Sequence, residues 1–306
     1  MKKTFMTVLL LTAFAAVAPA QQYIDGEPVY RVNNEREFIE ALGPDRIVEI
    51  GPDVQLNLTR VLNDESLFSG VAGRDFLPMV ERGTITTPTV VSEDAYNGRQ
   101  LTLVHIDLLT IRGAHNSSIV VEPRYANVFN FVDCEGTRLE NLTIGHTDEG
   151  YCTGAVISYI GGRVNVVKSC DLYGCGSYGL LGDDTNSLGV SATRIHHCTN
   201  GIMQFYGSPG LRFDNCDFFD NGHYTLVECD KSDLAFTSCR FYRNAADQQL
   251  FSGYYGLVLL DCDIYHPVEN LGRTENLLEP REPNRYHDVA EGQYVQPRAI
   301  GPDVSE

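Results

Sequence analysis

A repeat with a period of 23 residues constrains the fold of this chain more than any other feature of its sequence. Each copy has the form apolar-x-apolar-x-x-(Cys or small)-x-apolar, and the Cys or small residue is its anchor. The motif alternates with period two, as strands do, and each copy is too short to bury its own apolar face. Neighbouring copies must therefore stack and share a continuous core. The anchors follow one another every 23 residues, at Cys170, Thr193, Cys216, Cys239 and Cys262.

Two looser copies precede the regular ones, with anchors at Leu109 and Leu142 and spacings of 33 and 28 residues. Coils of short strands and turns with this repeat resemble the right-handed parallel β-helix of the pectin-lyase-like superfamily. The resemblance covers residues 101–267 and implies an all-β fold, a single-stranded parallel solenoid. A leucine-rich horseshoe is the main competing architecture, but its consensus of leucines and an asparagine at fixed offsets is missing.

The rest of the chain divides around this solenoid. Residues 1–20 have the form of a signal peptide, with two lysines, the apolar run Val8 to Val17 and the triplet Ala18-Pro19-Ala20. We therefore expect an exported protein, periplasmic or extracellular, that is monomeric and has no transmembrane segment. Residues 21–100 are predicted to form an N-terminal cap and the first irregular coils, and residues 268–306 a C-terminal tail packed on the solenoid.

A short helix is predicted to cover the open N-terminal end of the core. The segment Asn34-Glu35-Arg36-Glu37 has the form of a capping box, a short apolar stripe follows it, and Gly43-Pro44 ends the helix. Such a cap is needed because the exposed end of a stacked sheet would pair with other chains.

The acidic balance of the chain limits its partners. There are 41 Asp and Glu against 23 Lys and Arg, and the net charge of −18 becomes −20 if Lys2 and Lys3 leave with the signal peptide. Such a surface repels nucleic acid and anionic membranes. It also repels a bare polyanionic substrate unless cations bridge the two. Calcium, bound by Asp183, Asp184 or Asp230, is the one candidate cofactor, although no EF-hand spacing is present.

When the coils stack in register, residues at the same sequence distance from their anchors lie above one another and form a column. The column one residue after the anchor alternates in charge, which predicts an outward ladder of ion pairs that fixes the register. The column three residues after the anchor is aromatic and is either an exposed binding stripe for sugars or peptides, or a surface covered by the tail. The charged column is Asp171, Arg194, Asp217, Arg240 and Asp263, and the aromatic column is Tyr173, His196, Phe219, Tyr242 and Tyr265.

Most cysteines also fall into columns. The anchors of three consecutive coils, or rungs of the stack, are Cys216, Cys239 and Cys262. Stacked rungs hold these cysteines farther apart than a relaxed disulfide prefers. We therefore expect a ladder of free thiols in the core. Cys134 and Cys152 lie in irregular coils and form the best candidate pair for a disulfide. No Cys or His spacing matches a zinc site, so no structural metal is predicted.

Catalytic candidates come from two places. The longer coils carry an insertion that includes His146, Glu149 and Tyr151, and function tends to concentrate in such loops. The segment Gly182-Asp183-Asp184 is similar to the Gly-Asp-Asp pair of the polygalacturonase family, which hydrolyses its substrate with inversion. Where that family has Gly-His-Gly one coil later, this chain has Gln204-Phe205-Tyr206.

Counting 23 residues from one coil to the next aligns Asp184 with Gly207 and then with Asp230. Those two carboxylates would have α-carbons about 9.6 Å apart, which suits an acid/base pair with room for a sugar and a water. Glu228 and Lys231 lie beside Asp230 in the sequence. Both turn acids and a catalytic pair are consistent with this pattern.

The sequence thus supports two hypotheses of different classes. The first is an exported carbohydrate-active β-helix protein that cleaves a polysaccharide as a hydrolase or a lyase. The second is a non-catalytic β-helix protein that binds carbohydrate or another surface, or is structural. The candidate catalytic residues are Asp183, Asp184, Asp230, His146 and Glu149, and the candidate substrate-binding residues are Tyr173, Tyr242, Tyr265, Tyr206, Tyr151 and Lys231.

Overall fold

The chain winds into a parallel β-helix, as predicted from the repeat, and its strands form three long sheets. The computed structural model describes residues 22–24, 26–73, 83–95, 98–122, 125–147, 154–174, 176–253, 256–267, 271–272 and 284–287. Each regular coil contributes one strand to each sheet in turn. Within the described residues, no helix has the length and apolar character needed to cross a membrane.

The first sheet contains ten strands, and all neighbours are parallel except the first two. In spatial order it consists of β1 (Gln22–Ile24), β2 (Glu27–Val32), β3 (Arg46–Ile50), β8 (Leu109–Gly113), β11 (Arg138–Glu140), β14 (Val166–Lys168), β17 (Gly189–Ser191), β20 (Leu211–Asp214), β24 (Leu234–Thr237) and β28 (Leu257–Leu260).

The second sheet is parallel throughout. It consists of β4 (Gln55–Asn57), β9 (Ser118–Val121), β12 (Thr143–His146), β15 (Asp171–Tyr173), β18 (Arg194–His196), β21 (Asp217–Phe219), β25 (Arg240–Tyr242), β29 (Asp263–Tyr265) and β30 (Arg285–His287).

The third sheet is parallel except where β6 pairs with β7. It consists of β5 (Gly70–Ala72), β6 (Thr89–Ala95), β7 (Gly98–Val104), β10 (Phe129–Val132), β13 (Ile157–Ile160), β16 (Tyr178–Asp183), β19 (Gly201–Tyr206), β23 (Val227–Asp230) and β27 (Phe251–Gly253). A further small pair joins β22 (Gly222–His223) to β26 (Ala245–Ala246).

Left-handed residues form the corners of the coils. The residue just before each of the five regularly spaced anchors has a positive φ, for example 47° at Ala192 and 53° at Asn215, and turns the chain sharply from the first sheet to the second. A left-handed conformation costs about 1 kcal/mol for most residues, so the corners are tolerated because the core on either side holds them.

The core is one large apolar cluster, and the cysteine thiols of the described residues are free. The buried thiols of Cys216, Cys239 and Cys262 donate to the carbonyl oxygens two residues earlier at 3.3–3.4 Å, which confirms the predicted thiol ladder. Cys134 is also a free, buried thiol and donates to the carbonyl of Leu103 at 3.3 Å. The predicted disulfide is therefore wrong, because Cys134 points into the core. Its intended partner, residue 152, lies outside the described residues.

The predicted capping helix is present as α1 (Glu35–Ala41). The Asn34 side chain accepts a hydrogen bond from the Glu37 backbone N–H at 2.9 Å, and the Glu37 carboxylate accepts one from the Asn33 N–H at 2.8 Å. Phe38 is fully buried, and its ring centroid lies 6.4 Å from that of Phe129. The helix thus packs its apolar side on the core.

Parallel stacking starts earlier than residue 101, because β2 and β3 are already rungs of the first sheet. The coil between β3 and β8 contains β4 to β7, and this long insertion hides the early rungs from a search for periodicity. The looser copy anchored at Leu142 has the predicted register, since Leu139 pairs with Val167. The copy anchored at Leu109 does not, because Leu139 pairs with Ile111, whereas that anchor predicts a pairing with Ile106, five residues earlier.

The C-terminal tail contributes a rung that the repeat did not reveal. Arg285 pairs with Asp263, and Tyr286 and His287 follow in register on the second sheet. The side chain of Asn284 occupies the anchor position, where its Oδ1 accepts from the Cys262 N–H at 2.9 Å. At least this part of the tail therefore extends the solenoid instead of lying over its side.

The alternating charges form ion pairs as predicted, but they pair two by two. Arg194 donates to Asp171 through Nε at 3.1 Å and Nη2 at 2.8 Å. Arg240 makes the same two-bond contact with Asp217, and Arg285 makes it with Asp263. The ladder is thus a set of bidentate pairs between consecutive rungs.

The aromatic column is less exposed than an open stripe requires. The rings stack along the column, with centroids 4.7 Å apart for His196 and Phe219 and 5.1 Å for Phe219 and Tyr242. Tyr242 is 0% exposed and Phe219 is 5% exposed. The Arg243 guanidinium lies 5.4 Å from both rings, so stacking and cation–π contacts bury the middle of the column.

Candidate functional site

A groove of about 610 Å³ runs along the outer face of the third sheet. Its floor is built by β13, β16, β19, β23 and β27, because alternate side chains of each strand point outward. The N-terminal part of the same face is closed by apolar packing of Val91, Val104 and Val132. The lining residues are Ser158, Tyr159, Ile160, Leu181, Gly182, Asp183, Gln204, Phe205, Tyr206, Glu228, Cys229, Asp230 and Ser252.

Two carboxylates share one column of this groove. Asp183 pairs with Tyr206 on the next strand, and Tyr206 pairs with Asp230 on the strand after that. The two aspartates therefore stand two strands apart, with α-carbons about 9.6 Å from each other and a tyrosine between them. Both aspartate side chains are exposed.

The register corrects the predicted pair. Asp184 was expected to align with Asp230, but it aligns with Gly207 and then with Lys231, in the left-handed corner after each strand. The anchors keep a spacing of 23, yet Tyr206 and Asp230 are 24 residues apart. This coil has one extra residue before β23 and one residue fewer in the corner after it. The strand in the third sheet is therefore displaced by one residue relative to the 23-residue repeat, whereas the strands in the other two sheets keep that spacing.

The Gly-Asp-Asp segment has a structural explanation for each position. Gly182 faces the core, and a side chain there would collide with the ring of Phe205. Asp183 faces the groove, whereas Asp184 has a φ of 51° at the corner and does not line the groove. The segment is therefore compatible with the coil geometry, and only its middle residue reaches the candidate site.

Lys231 and Tyr206 form a pair at the edge of the groove. Lys231 Nζ donates to the Tyr206 hydroxyl at 2.6 Å and lies 4.8 Å from the ring centroid. This hydrogen bond, together with the carboxylates of Asp230 and Asp184, raises the pKa of Lys231. The lysine therefore stays charged and holds the Tyr206 ring, which is 44% exposed.

Glu228 is a third groove carboxylate. It lies beside Gln204 on the column next to that of Asp230, and the Gln204 amide donates to its Oε2 at 2.6 Å. The Tyr178 hydroxyl donates to its Oε1 at 2.9 Å. The sequence placed Glu228 near Asp230, but it gave no indication of Tyr178 or Gln204.

The other predicted site residues lie elsewhere. His146 is buried in β12 of the second sheet, where its Nε2 lies 2.8 Å from the carbonyl oxygen of Ala126. Tyr173, Tyr242 and Tyr265 are on the outer face of the second sheet, apart from the groove. Of the predicted residues that the structure describes, it brings Asp183, Asp230, Tyr206 and Lys231 together at the groove. Residues 149 and 151 lie outside the described residues.

No cluster of three or more His, Cys, Asp or Glu side chains within the described ranges has the arrangement of a metal site. The three groove carboxylates are spread over two columns and do not converge on one point.

Comparisons with known proteins agree with the fold. Residues 127–270 match the family model of the right handed beta helix region. The structure is similar to a pectate lyase from Paenibacillus sp. 0602, with a TM-score of 0.57 and 10% identity over 87% of this chain and 79% of that one. It is also similar to a mutant pectate lyase of Bacillus subtilis, with a TM-score of 0.53 and 11% identity over 86% of this chain and 82% of that one.

A third pectate lyase, described by its anti β-elimination mechanism, gives a TM-score of 0.51 and 10% identity over 86% of this chain and 82% of that one. No curated protein sequence matches the chain. The protein is thus a right-handed parallel β-helix protein with the pectin-lyase-like fold, as the resemblance implied. At such identities the similarity extends to the fold alone.

Proposed function

We propose that the protein is an exported polysaccharide hydrolase that cleaves a neutral glycan in the groove of the third sheet. The observation that carries the proposal is the pair Asp183 and Asp230, which share one column of the groove on either side of Tyr206. Three pectate lyases share the fold, which supports a polysaccharide ligand. The apolar run and small-residue triplet at the N-terminus support export.

The spacing of the two carboxylates suits hydrolysis with inversion. Their α-carbons are about 9.6 Å apart, and side chains that lean together bring the carboxyl groups into the roughly 6.5–9.5 Å range of inverting glycosidases. One carboxyl group donates a proton to the leaving oxygen, and the other activates a water on the opposite face of the sugar. Tyr206 lies between them, where its exposed ring can stack on the sugar.

The charges of the groove support a neutral substrate. The carboxylates that line it are Asp183, Glu228 and Asp230, and Lys231 lies at the edge. A polyuronate would bring further carboxylates into this acidic surface. We therefore expect a neutral glycan to be preferred over a uronic one.

The first prediction is that Asp183→Asn and Asp230→Asn each lower kcat by about 10²–10⁴-fold, because each removes one half of the acid/base pair. Neutral and uronic polysaccharides are assayed by reducing-end release, with product stereochemistry read by NMR. Asp184→Asn is the matched control: it is the adjacent exposed aspartate, it does not line the groove, and Asn tolerates the left-handed corner.

Absence of turnover on every polysaccharide would contradict hydrolysis. Glycan binding without turnover, unchanged in both aspartate variants, would instead favour a non-catalytic carbohydrate-binding protein. Retained stereochemistry in the product would contradict the proposed use of a water between the two carboxylates.

A further inference from the structure

Glu228 is a groove carboxylate that is held by two side-chain hydrogen bonds. Both of its oxygens accept hydrogen bonds, Oε1 from the Tyr178 hydroxyl at 2.9 Å and Oε2 from the Gln204 amide at 2.6 Å. Both donors are neutral. The two hydrogen bonds therefore give the carboxylate group one fixed orientation.

Tyr178 reaches Glu228 across an intervening strand. It pairs with Gly201 of β19, and a Cβ at Gly201 would lie 2.8 Å from Tyr178 Cε1. The missing side chain lets the ring cross β19 and reach β23. Burial, and then the Glu228 carboxylate, raise the pKa of Tyr178, so its phenol keeps the proton that it donates.

The two protein donors use only part of the hydrogen-bonding capacity of Glu228. An ionised carboxylate has about four acceptor positions, of which Tyr178 and Gln204 fill two. Because Glu228 lines the groove, the remaining positions are accessible to a ligand. Two hydroxyl groups of a sugar can donate hydrogen bonds to these remaining positions, one on each oxygen of the Glu228 carboxylate.

We propose that Glu228 determines the specificity of the groove by accepting hydrogen bonds from two neighbouring hydroxyl groups of a neutral sugar unit, next to the unit held at Asp183 and Asp230. Tyr178 and Gln204 are its positioning residues. This inference rests on the proposed function for the location of the glycan. A sugar unit with blocked hydroxyl groups leaves Glu228 without these hydrogen bonds, and a unit that carries a carboxylate is repelled by Glu228. The groove therefore rejects both kinds of unit.

The test measures binding and turnover separately in the full-length protein. The probes are cellohexaose, mannohexaose and xylohexaose, their O-methylated forms, and hexagalacturonate as the anionic probe. Binding is measured by isothermal titration and turnover by product release. The variants are Glu228→Gln, Tyr178→Phe and Gln204→Met, with Tyr224→Phe as the matched control, because Tyr224 is an exposed tyrosine that does not line the groove.

For the neutral probe that binds wild type best, Glu228→Gln should raise Kd and KM about 10–100-fold, the loss expected for a hydrogen bond to a charged group. Tyr178→Phe and Gln204→Met should each raise them about 3–10-fold, since they leave Glu228 in place but free to rotate. In all three variants kcat should stay within about threefold and keep its pH profile, because the interaction is present in the ground state.

Several outcomes would overturn the inference. These are an unchanged Kd in Glu228→Gln, equal binding of the methylated probe, and a fall in kcat with unchanged KM. A wild type that binds none of the neutral probes also refutes it. If wild type binds without turnover and Glu228→Gln abolishes binding, the hydrolase proposal fails while the assignment of Glu228 stands. A thermal melt of each variant controls for folding, and a Tm lower by more than a few degrees in Tyr178→Phe alone would assign that residue a structural role.

Discussion

Val164 illustrates what the coil geometry demands of a single residue. It has a φ of 58° at a corner where the equivalent residue of the preceding coil is Gly136, and it is 55% exposed. A β-branched residue is strained in the left-handed region, and exposure means that little packing offsets this strain. We predict that Val164→Gly raises the free energy of unfolding by about 1 kcal/mol. Urea denaturation measures it, and a destabilised variant would contradict the assigned conformation.

At the scale of elements, the junction between the last regular coil and β30 depends on His266. This imidazole is 5% exposed, its Nε2 has no hydrogen-bond partner within the described residues, and its backbone N–H donates to the carbonyl of His287. Burial lowers the pKa of His266 below 6.5, so the unfolded chain binds the proton more readily than the folded one. The associated stability is present above pH 6.5 and is lost as the pH falls through the lowered value.

We therefore predict that the amide protons of β30 exchange faster at pH 5 than at pH 7.5, after correction for intrinsic rates. His266→Leu should remove this pH dependence, since it has nothing to protonate. Asp263 does not contribute in this range: hydrogen bonding to Arg285, and then to His287, lowers its pKa below 3.8, so it stays ionised. A pH dependence that persists in His266→Leu would assign the effect to another group.

At the scale of the whole molecule, stability is transmitted from coil to coil, because each rung contacts only its neighbours. Phe218 is fully buried and packs against rings of its own and the adjacent coil, with a centroid 4.7 Å from that of Phe241. We predict that Phe218→Asp costs several kcal/mol and leaves the solenoid unfolded or partly unfolded at 25 °C, because it buries an unpaired charge. Circular dichroism melts measure this. Phe218→Leu is the control and should cost about 1–2 kcal/mol, whereas a normal melt in the aspartate variant would contradict the 23-residue register.

The fold could be predicted from the sequence because its signal is repeated. Five anchors at one spacing, each with the same alternation of apolar residues, specify strands, stacking and core position together. The helix α1 was predicted equally well, since the capping box and the Gly-Pro stop act over a few residues. The tail rung was not, because 284–287 follows a segment without the motif and contains only one copy of the strand.

The candidate site was predicted only in part, for geometric reasons. The sequence identified Asp183, Asp230, Tyr206 and Lys231 as candidates, but it paired Asp230 with Asp184 because it assumed a spacing of 23 residues throughout the coil. A one-residue gain before β23, removed again in the next corner, makes Asp183 the partner. The aromatic column was expected to be either open or covered by the tail, but cross-rung stacking and Arg243 bury its centre.

The sequence by itself determined which residues face inward and which outward, because alternation and period are properties of consecutive residues. Only the tertiary structure decided which outward residues meet: the alignment of Asp183 with Asp230, and the reach of Tyr178 over Gly201 to Glu228. Contacts across strands depend on the exact length of every corner between them. A single residue gained or lost there leaves the repeat unchanged and rearranges the groove.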